Sequence, residues 1–244
     1  MGLTKRIALI LAGGTGSRMG TDVPKQYIPI QGRMLVTHTL ERFYQHDEID
    51  AVQIVAAMEW RAKIRQEQAE YFFSRIPKCA EKFCGFSNPG ETRQLSILNG
   101  LRDIAAYASD EDIIVVHDTA RPLVSAALIS AGIEAMAKHD GIMPVLPMKD
   151  TVYESVDGYH ISKLLRREHI VAGQAPEFFR FKKYLVANEA LDADAMRSIN
   201  GATEPAILSD MNIGIIPGEE RNFKITTPED LERYMEILQK GQAD

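Results

Sequence analysis

The sequence predicts an α/β fold, with a mostly parallel sheet covered by helices on both faces. Three features carry this reading: apolar runs of strand length recur along the chain, helical periods separate them, and the first run empties directly into a glycine-rich loop. The runs are Ile7 to Leu11, Ala51 to Ala57, Ile113 to His117, Ile142 to Leu146 and Ile213 to Ile216. An unbroken apolar run of this kind suits a strand buried on both faces of a parallel sheet. Between the runs, Val36, Leu40 and Phe43 fall on one face of a helix, and Ile97, Leu101, Ile104 and Ala108 repeat the same period. Ligands of such folds sit outside the carboxyl ends of the strands. The loop after Leu11 and the block Val116 to Pro122 both open there.

The first loop is the richest in chemistry. Residues 7 to 25 read IALILAGGTGSRMGTDVPK, so a buried strand delivers the chain to Gly13, Gly14 and Gly16, followed by Arg18 and Lys25. Glycines let the backbone turn sharply and bring its N–H groups up to an anion, and the two cations add full charges at the same mouth. A phosphate-bearing ligand follows. The spacing matches neither familiar phosphate loop: Met19 stands where a dinucleotide fold needs its third glycine, and no Gly-Lys pair supplies a P-loop.

Composition narrows the classes. At 244 residues and 45% hydrophobic content the chain can bury one sizeable core, and no linker marks a second domain. A net charge of −6 argues against a general nucleic-acid or membrane surface, since both require a basic field. No signal peptide is legible at the N-terminus and no apolar run approaches the roughly 18 residues of a membrane span, so a cytoplasmic location is expected. Cys79 and Cys84 have no His or Asp clustered around them, and the histidines form no metal-ligating pair. No structural transition-metal site is expected.

The segment from about Pro147 to His169 breaks the alternation. It is polar, carries Lys149, Lys163, Arg166, Arg167 and His169, and lacks a core-forming period. As a bare loop it is long for a compact domain.

These blocks together resemble a known family. L-A-G-G-x-G-x-R-M-G followed by the block Pro24-Lys25-Gln26-Tyr27 looks like the signature of nucleotidyltransferases that join an NTP to a sugar or alditol phosphate. Further blocks are Gly90-Glu91-Thr92-Arg93, Val116-His117-Asp118-Thr119-Ala120-Arg121-Pro122, Lys149-Asp150-Thr151, Gly173-Gln174-Ala175-Pro176-Glu177 and Asn222 to Leu231, which reads NFKITTPEDL. In this order and spacing they resemble the CTP-dependent alditol-phosphate cytidylyltransferases, of the ribitol-5-phosphate and 2-C-methylerythritol 4-phosphate types. The resemblance implies one Rossmann-like nucleotidyltransferase domain over residues 1–244, with a protruding β-arm at about 147–170 used for dimerisation. It also implies a homodimer in which each arm lends residues to its neighbour's site.

On that resemblance, attack by the alditol phosphate on the α-phosphorus of CTP needs no covalent nucleophile, only positioning of two polyanions and stabilisation of developing charge. Arg18, Lys25 and Lys224 resemble the three catalytic cations. Leu11, Ala12, Gly13, Gly14 and Gly16 would cradle the nucleotide, with Gly90, Glu91 and Ser96 near the cytosine and Asp118 and Thr119 beside them. Asp118 would lie beside Mg2+, the expected cofactor, and with Arg121, Thr151, Arg167 and Lys224 would hold the alditol phosphate. Bland readings stand beside these: Asp118 capping the turn that follows it, Gly90 to Thr92 starting a helix, Arg18 and Lys25 as solvated charges, Lys224 as a snorkelling side chain on a strand.

The chain departs from the family pattern at several positions. Glu91 replaces the usual aspartate, Thr119 stands where alanine is commoner, Ala175 replaces a threonine and Glu177 a glutamine. L-A-G-G, Arg167-Glu168-His169 and Gly173-Gln174 lean toward the ribitol-phosphate type, and Lys149-Asp150-Thr151 toward the methylerythritol type. A similar first loop also occurs in the guanylyltransferases of molybdenum cofactor assembly, which lack the Asp118 to Pro122 and Lys224 to Leu231 combination. A silent nucleotide-binding module is the reading from another class, and the cations at 18, 25 and 224 argue against it.

Overall fold

All five apolar runs are strands of one sheet in the computed structural model, which describes residues 3–14 and 23–241. In chain order the elements are β1 (Arg6–Leu11), β2 (Pro29–Ile30), β3 (Arg33–Met34), α1 (Leu35–Gln45), β4 (Ala51–Val55), α2 (Met58–Gln68), α3 (Pro77–Lys82) and β5 (Phe83–Ser87). There follow α4 (Arg93–Ile104), β6 (Ile113–Asp118), α5 (Ala126–Ala135), β7 (Gly141–Pro147), β8 (Val152–Glu154), β9 (Lys163–Leu165), β10 (Val171–Gly173) and β11 (Glu177–Arg180). The chain continues through α6 (Phe181–Glu189), α7 (Ala193–Ser198), α8 (Glu204–Leu208), β12 (Ile213–Pro217) and α9 (Pro228–Gln239).

The sheet runs β10-β7-β11-β6-β1-β4-β5, with β12 also paired to β7. Strands β6, β1, β4 and β5 are mutually parallel, and β12 is parallel to β7. The period of two sorts the side chains of β1 between two cores. Ala8 and Ile10 face a core with Val36, Leu40 and Phe43 of α1, whereas Ile7 and Leu9 face one with Ile97, Leu101 and Ile104 of α4. Both helical periods therefore bury the face that the sequence marks, one on each side of the sheet.

Two strands depart from the expected pattern. Strand β11 inserts antiparallel between β6 and β7, sending Phe178 into one core and Phe179 into the other. Its ends, Glu177 and Arg180, are charged, which hides it from a search for apolar runs. Strand β5, Phe83–Ser87, closes the edge beside β4 and is only partly buried. The run beginning at Ala51 also ends earlier than expected, at Val55; Ala56 already donates its N–H to Ser87 O at 3.1 Å as the chain turns into α2.

The polar segment after Pro147 has structure of its own. Strands β8 and β9 pair antiparallel as a hairpin, exposed along nearly all its length. The hairpin's end is held locally: Asp157 Oδ1 accepts from the N–H groups of Tyr159 and His160 at 2.9 and 2.8 Å. Strand β10 then returns to the sheet beside β7. No described helix is long and apolar enough to cross a membrane.

Candidate active site

At the carboxyl end of β1 the chain leaves the sheet at Leu11, and two side chains of the Pro24-Lys25-Gln26-Tyr27 block hold the exit in place. Gln26 Nε2 donates to Ala12 O at 2.8 Å and to Gly14 O at 2.5 Å, while the Tyr27 hydroxyl donates to Ala12 O at 2.7 Å. Tyr27 is buried and stacked on Trp60, with ring centroids 4.1 Å apart. Anchored carbonyls fix the loop's conformation. Two glycines are required for close approach: a Cβ on Gly13 would sit 2.5 Å from Pro89 Cβ, and one on Gly90 would sit 2.4 Å from Leu95 Cγ. Lys25 reaches across to the C-terminal block, donating from Nζ to Ile225 O at 2.7 Å.

The end of β6 carries the electrostatic centre. Asp118 Oδ1 accepts from Arg93 Nη2 and Nε at 3.0 and 3.1 Å, and Oδ2 accepts from Lys224 Nζ at 2.7 Å. Arg93 Nη2 also lies 3.5 Å from Glu177 Oε1, and Glu177 Oε2 accepts from Thr203 Oγ1 at 2.5 Å. A chain of alternating charge thus runs Glu177, Arg93, Asp118, Lys224 across distant parts of the sequence. Burial acts to raise the Asp118 pKa, but Arg93 and Lys224 outweigh it and hold the carboxyl well below the usual carboxylate range. Glu177 keeps a raised pKa, because its burial exceeds what Arg93 and Thr203 return. Behind this chain His117 is fully buried and its pKa is lowered by burial to about 4. The ring is therefore neutral, with Nε2–H donating to Arg121 O at 3.0 Å. Arg121 in turn donates from Nη1 to Asn222 O at 2.6 Å.

Two adjoining cavities meet at the chain of charges. The first, of about 280 Å3, is walled by Leu11, Gly13, Gly14, Lys25, Gly90, Glu91, Ser96, Thr119 and others; the second, of about 200 Å3, by Arg121, Gln174, Ala175, Glu177, Asn200 and Thr203 among others. Arg93, Asp118 and Lys224 belong to both walls. Around the first, the described residues supply glycine backbone, three cations and two carboxylates, a lining suited to a polyanion placed against a fixed charge pattern. Among the described residues no group of three or more His, Cys, Asp or Glu side chains is arranged to hold a metal ion. Asp118 is the ionised carboxylate standing on both walls.

The residues singled out from sequence fall into three sets. Leu11, Gly13, Gly14, Lys25, Gly90, Glu91, Ser96, Asp118, Thr119 and Lys224 are brought to the first cavity, with Ala12 buried just behind it, and Arg121 to the second. Thr151 and Arg167 lie apart from both cavities, on the arm, where Arg167 Nη1 donates to Lys149 O at 2.9 Å. Gly16 and Arg18 lie outside the described residues.

Local detail corrects some readings. The Asp118 carboxylate does not cap the turn after it: the turn closes through the Asp118 backbone carbonyl, which accepts from Arg121 N at 3.0 Å, while the carboxylate serves the two cations. Lys224 is correspondingly an ion-pair partner and lies outside any strand, not a snorkelling side chain on one. The Thr119 hydroxyl is spent on the scaffold, donating to Leu11 O at 2.9 Å. The helix-start reading of the Gly90 block holds, since Thr92 caps α4 by accepting from Leu95 N at 3.1 Å. Ser96 Oγ accepts from Gly90 N at 2.9 Å, so this serine shapes the glycine turn.

Sequence reasoning passed over Arg93, Gln26, Tyr27 and Thr203. The first three stood inside recognised blocks, so the signal was present without a role attached. Thr203 has no local signal; only the return of the chain after α7 brings it to Glu177.

With the geometry in view, comparison with known proteins is informative. Residues 6–240 match the family model described as IspD: 2-C-methyl-D-erythritol 4-phosphate cytidylyltransferase. The 2-C-methyl-D-erythritol 4-phosphate cytidylyltransferase of Nitrosomonas eutropha is 34% identical over 248 residues, covering 99% of both chains. The ribitol-5-phosphate cytidylyltransferase of Streptococcus pneumoniae serotype 2 is 30% identical over 234 residues, covering 95% of this chain and 97% of that one. Among solved structures, the 4-diphosphocytidyl-2C-methyl-D-erythritol synthase of Anaerococcus prevotii superposes with a TM-score of 0.78 at 24% identity, covering 97% of this chain and 96% of that one; at that identity the likeness speaks for the fold. Sequence match over nearly the whole chain and a shared fold lead to one conclusion: the chain belongs to the IspD family of cytidylyltransferases.

Proposed function

We propose that the chain transfers CMP from CTP to an alditol phosphate, D-ribitol 5-phosphate, forming CDP-ribitol and pyrophosphate. The observation that carries this is the pair of adjoining cavities sharing Arg93, Asp118 and Lys224. A nucleotide in the first and an acceptor in the second would meet at the shared wall. There an oxygen of the acceptor phosphate bonds to the α-phosphorus as the bond from that phosphorus to the β-phosphate bridge breaks. Lys25, with Arg18, holds the triphosphate and stabilises the charge that builds on it, and Lys224 serves the α-phosphate and the acceptor. Asp118, ionised and pinned between two cations, accepts hydrogen bonds from acceptor hydroxyls, and Arg121 bounds the acceptor's cavity.

Mg2+ is part of this reading. Mg2+ would be held by Asp118, the ionised carboxylate on both walls, since so strongly hydrated an ion needs only one or two carboxylates. When bound it neutralises phosphate charge. The arm supplies the rest: Thr151 and Arg167 serve the site of a second subunit in a homodimer. The exposed apolar side chains of the arm, Tyr153, Val156, Tyr159, Ile161 and Leu164, support an arm made to be covered.

The pentitol phosphate is favoured by the L-A-G-G loop, Arg167-Glu168-His169 and Gly173-Gln174. One observation favours 2-C-methyl-D-erythritol 4-phosphate instead, the Lys149-Asp150-Thr151 block at the base of the arm. The deciding experiment is pyrophosphate release with CTP, Mg2+ and each of ribitol 5-phosphate, 2-C-methylerythritol 4-phosphate, other pentitol phosphates and sugar phosphates. A kcat/KM at least tenfold higher for ribitol 5-phosphate is expected. Preference for methylerythritol phosphate selects the second reading, and CTP binding without turnover on any acceptor refutes both.

A further inference from the structure

The second cavity holds a carboxylate to which the proposed transfer gives no task. Glu177 opens β11, whose antiparallel pairing sets it opposite Val116 of β6. With the period of two, its side chain shares a face of the sheet with Asp118, one diagonal step away. Both carboxylates line the cavity, and Arg93 stands between them. They are not equivalent. Asp118 is gripped by two cations at 3.0 and 2.7 Å, whereas Glu177 has Arg93 at 3.5 Å and otherwise only the Thr203 hydroxyl, on Oε2. A carboxylate offers about four acceptor positions, so Oε1 of Glu177 keeps capacity for a further donor.

The layout of the two cavities says which part of a ligand Glu177 would meet. In the proposed transfer, on which this inference rests, the acceptor phosphate lies at the wall shared by Arg93, Asp118 and Lys224. Its hydroxyl chain then runs into the part walled by Glu177, Asn200 and Thr203, none of which lines the nucleotide cavity. An ionised carboxylate there accepts hydrogen bonds and donates none, so it favours a hydroxyl. An anionic group in the same place would set two like charges together away from bulk water, which is strongly disfavoured. We infer that Glu177 is a specificity-determining residue for the acceptor. Its Oε1 accepts from a hydroxyl at the end remote from the acceptor phosphate, and its charge bars a carboxylate from that place, so alditol phosphates are taken and aldonate phosphates refused.

The test uses the alditol phosphate that pyrophosphate release shows to be preferred. Beside it stand two analogues in which a methyl or a carboxylate replaces the terminal CH2OH, measured as alternative acceptors or competing inhibitors at pH 8. In the parent protein the methyl analogue should bind roughly tenfold more weakly than the alditol phosphate, the effect of losing one hydrogen bond to a charged group, and the carboxylate analogue more weakly still. In Glu177→Gln, which keeps the shape and removes the charge, the carboxylate analogue should gain roughly tenfold or more relative to the alditol phosphate. Damage to the fold produces no such gain. Equal binding of either analogue and the alditol phosphate in the parent, a comparison that needs no variant, overturns the inference, as does a carboxylate-to-alditol ratio that Glu177→Gln leaves unchanged. Failure of the transfer reading looks different: no pyrophosphate is released with any alditol phosphate, and this inference falls with it.

Discussion

Replacing Arg93 by Met should destabilise the protein through two carboxylates at once. The guanidinium lies 3.0 Å from Asp118 and 3.5 Å from Glu177, and the Arg93, Asp118 and Glu177 side chains are only 28%, 13% and 9% exposed. Methionine keeps much of the volume but none of the charge. Asp118 would retain Lys224, whereas Glu177 would retain only the Thr203 hydroxyl among the described partners. Removing one partner of a buried pair costs about 3–5 kcal/mol, and the partial exposure of Arg93 places the expectation near 3. In a domain of this size each kcal/mol shifts Tm by about 2–4 °C, so a fall of roughly 6–12 °C is expected. The sign with pH is a further check. Glu177 has a raised pKa in the folded state, so its burial penalty grows above the unfolded carboxyl pKa and disappears as pH falls. Without Arg93 that penalty is larger, and the stability deficit of Arg93→Met should shrink as pH falls toward the unfolded carboxyl pKa. Adding Glu177→Gln to the variant should recover about 1 kcal/mol or more, measured by urea denaturation as a double-mutant cycle. A Tm within about 2 °C of the parent protein, or a deficit that grows on acidification, would refute the account of Arg93 as the shared counter-ion.

Lys25→Ala and Arg18→Ala should each lower kcat/KM about a hundredfold or more, near 2.7 kcal/mol of transition-state stabilisation, with the fold retained; near-normal turnover in a folded Lys25→Ala protein refutes the assignment. Arg167→Lys should raise the KM for the alditol phosphate and leave that for CTP almost unchanged, whereas Lys224→Ala should depress kcat; equal weakening of both substrates by Arg167→Lys contradicts separate sites. Mixing Arg18→Ala with Arg167→Ala chains should restore activity if each arm completes its neighbour's site, and full activity in a monomer by sedimentation rules that out. Asp118, with its depressed folded-state pKa, contributes stability that is present above the unfolded carboxyl pKa and lost only as pH falls through the folded value; Asp118→Asn should therefore flatten the acid unfolding curve below about pH 4.

Much of this protein was legible one residue at a time. The period of two from Ile7 to Ile10 and the helical periods through Leu40 and Leu101 assign the two faces of the sheet, because burying apolar surface leaves few other arrangements. The apolar runs that precede them place Gly13, Gly14 and the Asp118 block at the sheet's carboxyl edge, where β1 and β6 end. Strand β11 could not be placed this way, since a strand ending in Glu177 and Arg180 has no apolar signature of its own and is held by the neighbours on either side.

The site divides in the same way. Reading the chain alone brings out Gly13, Gly14, Lys25, Asp118 and Lys224 as candidates, and the structure gathers them around one cavity; glycine turns and cations can be recognised this way because they act through properties that each residue carries alone. Folding alone reveals that Asp118 is held by Arg93 and Lys224, 25 and 106 residues away, that Glu177 leans on the same arginine, and that Gln26 and Tyr27 anchor the first loop. Charge interactions fall off with distance in space and are indifferent to separation along the chain. A pairing set by the meeting of β6, α4, β11 and the turn before α9 therefore exists only once those elements have packed.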